Sequence, residues 1–262
     1  MKKGICFHWG FIISAEQKAQ ILSEVGFDSV IANADPKFDY QNGTFKEQVK
    51  LFKKYKLTPS TLHMQYDKNE IPAFWEVGEK GDNLEKTLEK DILFAHKYGF
   101  SAVVVHLKSE NPNPVGLERI KRLLELCKKK KVFFAVENIT KINCLQYVFD
   151  NIDHPYLKLC YDIGHNNCFH KDFDVLANYG DKLHCLHLHD NDGSADQHTL
   201  NRLGNIDWNA FAVRLAKLGF NGSLDYEVIY NPNQFDDAKA IAEEVYNQAL
   251  ELERLIAEYK KI

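Results

Sequence analysis

Leu183-His184-Cys185-Leu186-His187-Leu188-His189-Asp190 alternates leucine with cysteine or histidine over its last residues. A repeat of two is the period of an extended strand, so Cys185, His187 and His189 share one face while Leu186 and Leu188 share the other. Four more apolar runs end in the same way: Val103-Val104-Val105-His106, Phe134-Ala135-Val136-Glu137, Leu159-Cys160-Tyr161-Asp162 with His165 three residues on, and Leu224-Asp225-Tyr226-Glu227. Imidazole and carboxylate are donors suited to zinc, manganese and similar divalent ions. Leucines packed against outer helices would leave these polar side chains facing the opening of a barrel, at the C-terminal ends of its strands.

Strand-like runs alternate with helical patterns along all 262 residues, with no linker, low-complexity stretch or change of composition. Eight strands are expected at 4–8, 29–32, 59–64, 102–107, 132–138, 157–162, 183–190 and 223–229. Helices are expected at 14–25, 45–55, 84–98, 117–130, 144–149, 173–179, 208–218 and 236–259, several closed by glycine. Eight strand–helix units in one domain, 1–262, match the size and order of a (β/α)8 barrel of the α/β class, and a doubly wound open sheet shares the same pattern. Asp225, two residues before Glu227, also points inward by this alternation. A buried carboxylate needs a partner, so it is expected to meet a base such as Lys158 or to stay protonated.

With 45% hydrophobic and 27% charged residues the composition is that of a soluble globular protein. No apolar stretch reaches the roughly 18 residues of a membrane span, and Met1-Lys2-Lys3 leads into only a short run ended by His8, so a cytoplasmic location is expected. The net charge of -4 gives no electrostatic case for nucleic acid, and the early loops Asn33-Ala34-Asp35-Pro36 and Tyr66-Asp67-Lys68-Asn69-Glu70 carry almost no positive charge. The basic run Lys128-Lys129-Lys130-Lys131 reads as the solvated end of a helix. Cys6, Cys127, Cys144, Cys160, Cys168 and Cys185 form no C-x-x-C pair and read as reduced thiols.

Several segments stand out together: Val136-Glu137-Asn138, Tyr161-Asp162-Ile163-Gly164-His165, His187 through Gly193, Asp196-Gln197-His198, Gly204-Asn205-Ile206-Asp207-Trp208 and Tyr226-Glu227. In these the chain resembles the xylose isomerase-like barrel superfamily, which includes sugar phosphate isomerases and epimerases and endonuclease IV. The resemblance implies that Glu137, Asp162, His187 and Glu227 hold a central metal. It implies further that His63 and His106, with Glu137 bridging, match a second site, and that His165, Asp196 and His198 match a third. One to three divalent ions, zinc or manganese, are thus expected.

The expected activity is isomerisation or epimerisation of a small sugar, sugar phosphate or related polyol, with Glu137 and Glu227 exchanging a proton through a metal-stabilised enediolate. His8, Trp9, Trp75, Lys108, His189 and Arg202 are the expected substrate contacts, the tryptophans as pocket walls and the two cations as holders of a phosphate or carboxylate. The alternative is phosphodiester hydrolysis by a three-zinc cluster like that of endonuclease IV. A noncatalytic metal scaffold and a metal–enolate dehydratase remain further readings, and an oligomer is compatible with the chain.

Overall fold

Eight parallel strands form a single sheet that curls almost into a closed ring in the computed structural model, which describes residues 1–9, 13–65, 69–229 and 237–261. In chain order the elements are β1 (Lys3–Cys6), α1 (Ala15–Val25), β2 (Ser29–Asn33), α2 (Asp39–Asn42), α3 (Phe45–Lys54), β3 (Thr58–His63), α4 (Glu79–Tyr98), β4 (Ala102–Val105) and α5 (Pro114–Lys130). They continue with β5 (Phe133–Glu137), α6 (Asn143–Asn151), β6 (Leu157–Asp162), α7 (Ile163–Phe169), α8 (Val175–Tyr179), β7 (Leu183–His187), α9 (Trp208–Lys217), β8 (Leu224–Tyr226) and α10 (Ala238–Tyr259). Asp236, the expected start of the last helix, and Tyr66, Asp67 and Lys68 of the third loop lie outside the described residues.

Each strand pairs with its sequence neighbour, and β1 also pairs with β8. The remaining seam is narrow: Leu188 N–H donates to the Asp225 carbonyl and Glu227 N–H donates to the Leu188 carbonyl, both at 2.9 Å. These two bonds close the ring just beyond β7 and β8, and they set Glu227 beside the strand that carries His187. The architecture is therefore the (β/α)8 barrel, and the open sheet is excluded.

The ring encloses small side chains. Ala102, Val104, Ala135, Cys160 and Cys185 form the interior cluster, with Phe133 packed below, and the larger leucines and valines of the same strands face the helices. Asp225 is buried on the inner face as the alternation requires, but its partners are the hydroxyls of Ser60, Ser223 and Ser29. Lys158 takes no part; its ammonium lies over the Phe133 ring at 5.6 Å. Burial raises the Asp225 pKa despite those hydroxyls. Gly4 makes the room, since a Cβ there would fall 1.8 Å from Asp225 Oδ1.

Local signals explain the outer layer. Ser14 and Gln17 form a capping box at the start of α1, and Asn113 caps α5 just before Pro114. The lysine run ends α5 as expected, with Lys131 in the left-handed region at φ 58°. All six cysteines are free. Among the described residues, no helix is long and apolar enough to cross a membrane.

Candidate metal centre

The strand ends deliver their polar side chains to one point. Glu137, at the end of β5, is the hub: its Oε2 lies 3.0 Å from His106 Nε2, 3.3 Å from His187 Nδ1 and 3.6 Å from His63 Nε2, while its Oε1 lies 3.1 Å from His165 Nδ1. Glu227, just beyond β8, lies 3.5 Å from His187 Nδ1. His165 then reaches Asp196 through Nε2 at 3.2 Å, and His198 meets the same Asp196 oxygen at 3.3 Å. The nine expected ligands are brought together. Donor atoms within 4.8 Å of one another fall into the groups His63–His106–Glu137, Asp162–His187–Glu227 and His165–Asp196–His198, and Glu137 also groups with Asp162 and His165.

Neighbouring residues fix these ligands. Asn138 exchanges two 2.8 Å hydrogen bonds with the Asp162 backbone, tying β5 to β6 at the rim. Asp162 also caps α7, accepting from His165 N–H at 2.6 Å, so the helix starts within the site. His198 Nδ1 pairs with the Glu227 carbonyl at 2.6 Å and His63 Nδ1 with the Met64 carbonyl at 3.2 Å, leaving each Nε2 for the cluster. Asp190, fully buried, accepts from Trp208 Nε1 and from the Arg202 and Asn191 backbone N–H groups, anchoring the long loop that carries Asp196 and His198. An aspartate three residues past β7 was the available sequence signal for this anchor.

Four carboxylates in a largely buried pit demand positive charge. Burial opposes ionisation of Glu137, but the charges of His106 and His187, the hydrogen bond from His106 and the close approach of His165 prevail and hold it well below the usual range. Asp162 is likewise brought to about 2, against burial, by His165 and His189. Their partners respond in the opposite sense. Burial disfavours the imidazolium of His187, yet Glu227 and Glu137 raise its pKa well above the ordinary value; Asp162, Asp196 and Glu137 raise His165 to about 12, and Asp196 raises His198 to about 9. His106 moves the other way, lowered by burial.

A divalent ion fits these residues. Among the described residues, both ring nitrogens of the fully buried His187, and Nδ1 of His165, make no hydrogen bond, although carboxylate oxygens lie close. Buried nitrogens without partners are costly, and a nitrogen and oxygen donor set converging from several strands is what a zinc- or manganese-type ion takes.

The pit opens into a cavity of about 300 Å³ lined by His8, Asn33 and Cys6 as well as by the ligands, and a neighbouring pocket of about 220 Å³ adds Lys108, Thr140 and Phe169. His8 and Lys108 thus stand at the mouth. Asn33 and Cys6 were not anticipated; nothing but their position as the last residues of β2 and β1 marks them. His189 is close but fully buried, with Nε2 3.1 and 3.2 Å from the two Asp162 oxygens and its ring stacked on His198 at 3.8 Å, so it supports ligands from behind.

Three expected pocket contacts belong elsewhere. Trp75 is buried between helices, against Tyr147 and over Gly116, where a Cβ would fall 2.2 Å from the indole. Trp9 is 2% exposed and packs in the main core. Arg202 turns outward to pair with Glu251 on α10. Apolar indoles gain more from core burial than from a polar rim, and the arginine has a carboxylate at hand on the outer surface.

The chain belongs to the xylose isomerase-like TIM barrel family, which it matches over residues 19–252. Among solved structures, it is similar to a D-tagatose 3-epimerase-like protein, with TM-score 0.76 and 19% identity over 98% of this chain and 99% of that one. It is also similar to D-psicose 3-epimerase crystallised in the presence of D-fructose, with TM-score 0.77 and 15% identity over 99% and 100% of the two chains. For 3-keto-D-glucoside 4-epimerase from E. coli the TM-score is 0.74 at 17% identity, over 96% of this chain and 99% of that one. At such identities the likeness is one of fold.

Two uncharacterised proteins are nearer in sequence. One from Sinorhizobium fredii is 30% identical over 144 residues, 50% of this chain and 44% of that protein. One from Methanocaldococcus jannaschii is 29% identical over 198 residues, 73% of this chain and 58% of that protein. The chain spans about half the length of the curated relatives it matches.

Proposed function

We propose that this protein is a divalent-metal-dependent isomerase or epimerase of a small sugar, sugar phosphate or related polyol. The observation that carries the reading is the convergence of two carboxylates, Glu137 and Glu227, from different strands on His187 Nδ1, at 3.3 and 3.5 Å, in the lining of a cavity of a size for a small molecule. Membership of the family and the epimerase names of the structural neighbours support it.

Glu137, Asp162, His187 and Glu227 would hold the central ion. When bound, zinc or manganese would polarise a carbonyl and its adjacent hydroxyl and so acidify the C–H bond between them. The chain's own residues do the rest. One carboxylate takes the proton and the other returns it. His8 and Lys108 meet the rest of the substrate at the mouth, Lys108 suiting a phosphate or carboxylate end.

The test is a panel of ketoses and their phosphates in deuterated solvent with the metal-loaded protein. Isomerised or epimerised product carrying solvent deuterium at the reacting carbon is expected; conversion without incorporation would indicate a hydride shift and remove the proton-transfer role of both glutamates. One observation favours a second reading. The nine ligands divide into three groups of three, His63–His106–Glu137, Asp162–His187–Glu227 and His165–Asp196–His198, as a three-ion phosphodiester hydrolase requires. Three tightly held zinc ions and incision of duplex DNA at an abasic site would establish that reading in place of the first.

A further inference from the structure

Lys18 is a buried cation that the metal centre does not use. It lies in the first turns of α1, fully buried, with no carboxylate in ion-pair contact among the described residues. Lysine is rarely buried so completely without an acid, so the side-chain hydrogen bond it makes among the described residues is informative. Nζ donates to Asn42 Oδ1 at 2.9 Å, and Asn42, itself 2% exposed, places Nδ2 3.1 Å from His8 Nδ1. His8 lines the cavity above the metal ligands.

The donor inventory of this chain of contacts has one solution. An ammonium can only donate, so Asn42 must turn its oxygen to Lys18 and its amide N–H to His8. The His8 Nδ1 must then accept, which requires it to be unprotonated and leaves the imidazole proton on Nε2. The reversed amide would set N–H groups against the ammonium, and an imidazolium would set N–H against N–H. Burial, with Lys18 adding to it, lowers the His8 pKa to about 4, in keeping with a neutral ring.

We infer that Lys18 is a positioning residue that acts through Asn42 to hold His8 as the neutral imidazole protonated at Nε2, giving the cavity a fixed hydrogen-bond donor for a hydroxyl or carbonyl oxygen. The nature of that oxygen rests on the proposed sugar chemistry. The proton's position does not. Nitrogen-15 NMR of histidine-labelled protein, kept free of paramagnetic ions at neutral pH, reads it directly.

In the wild type the His8 Nδ1 resonance is expected at the unprotonated position and Nε2 at the protonated one. Lys18→Met keeps the stem but removes the charge, and a mixture of tautomers is expected. Asn42→Asp offers an acceptor to both neighbours, so the proton is expected to move onto Nδ1 while the ion pair keeps Lys18 buried. A wild-type Nδ1 carrying a proton would overturn the inference. So would an unchanged His8 pattern in either variant, and because Asn42→Asp retains the buried lysine's partner, a failure of Lys18→Met to fold leaves the test in place. Neither outcome depends on whether any sugar is turned over.

Discussion

Glu137 is the residue on which most contacts of the centre depend. It is shared among His63, His106, His165 and His187, whereas Glu227 approaches His187 alone among the strand-end imidazoles. The two glutamates should therefore separate when mutated. Glu227→Gln is expected to lower turnover about 10³-fold, within the range for an acid–base group, while retaining the ions held by His63–His106–Glu137 and His165–Asp196–His198. Glu137→Gln should cost a similar factor and also lower total bound metal, because a charged oxygen is withdrawn from several nitrogens at once. Metal analysis after dialysis reads the difference; equal metal content in the two variants would contradict a hub role for Glu137. The His187 position was legible in the sequence because leucine alternates around it. The hub was not, since a run such as Phe134-Ala135-Val136-Glu137 shows where a carboxylate sits on its own strand and nothing of the histidines that face it across the ring.

At the scale of elements, alternation placed all eight strands to within a few residues, because inward and outward faces differ so plainly in composition. Short elements were harder to read. α7 was not expected, since it springs directly from Asp162 with no loop between and offers only seven residues, two of them asparagine. The role of Gly164 within it is clearance, since its φ is not positive and a Cβ would lie 1.9 Å from His189 Cε1. Gly164→Ala should therefore push His189 off Asp162 and weaken metal retention with little loss of helix, since alanine favours the helical backbone. Circular dichroism beside metal analysis checks both halves, and full metal retention in the variant would refute the packing argument. A second prediction concerns α4, where Asp91 is fully buried and accepts from the Gln65 backbone and side chain. Burial raises its pKa to about 6 despite those bonds. Folding thus favours the protonated acid, and stability is lost as pH rises from about 4 through about 6. Asp91→Asn should remove this slope, worth about 1–2 kcal/mol between pH 4 and 7, as measured by urea unfolding of both proteins. A slope that persists unchanged would assign it to other groups.

For the whole molecule the barrel acts as a frame that holds Glu137, Asp162, Asp196 and Glu227 together with their histidines, and the cost of that arrangement falls on whatever neutralises it. Protons and divalent ions compete for the same nitrogens. In the metal-free protein His198 has its pKa raised from 6.5 to about 9, through Asp196 and against burial, with His165 and His187 raised as well. A histidine whose folded pKa lies above its unfolded one lends stability that is complete below about pH 6.5 and disappears as pH climbs through the folded value. The metal-free barrel should therefore lose about 1–3 kcal/mol between pH 6.5 and pH 9.5, a fall of several degrees in melting temperature for a chain of this length. Metal uptake has the opposite dependence, because each nitrogen must shed its proton before it ligates, so the rise in melting temperature on adding zinc should grow across that window. Asp196→Asn supplies the control: without the carboxylate that raises His198, the metal-free curve should flatten. Melting temperatures of chelator-treated and zinc-loaded protein across pH 6 to 10 decide the matter, and a metal-free curve that is flat in the wild type, or a zinc effect that shrinks as pH rises, would show that the histidines are not the charge the pit depends on when no ion is bound.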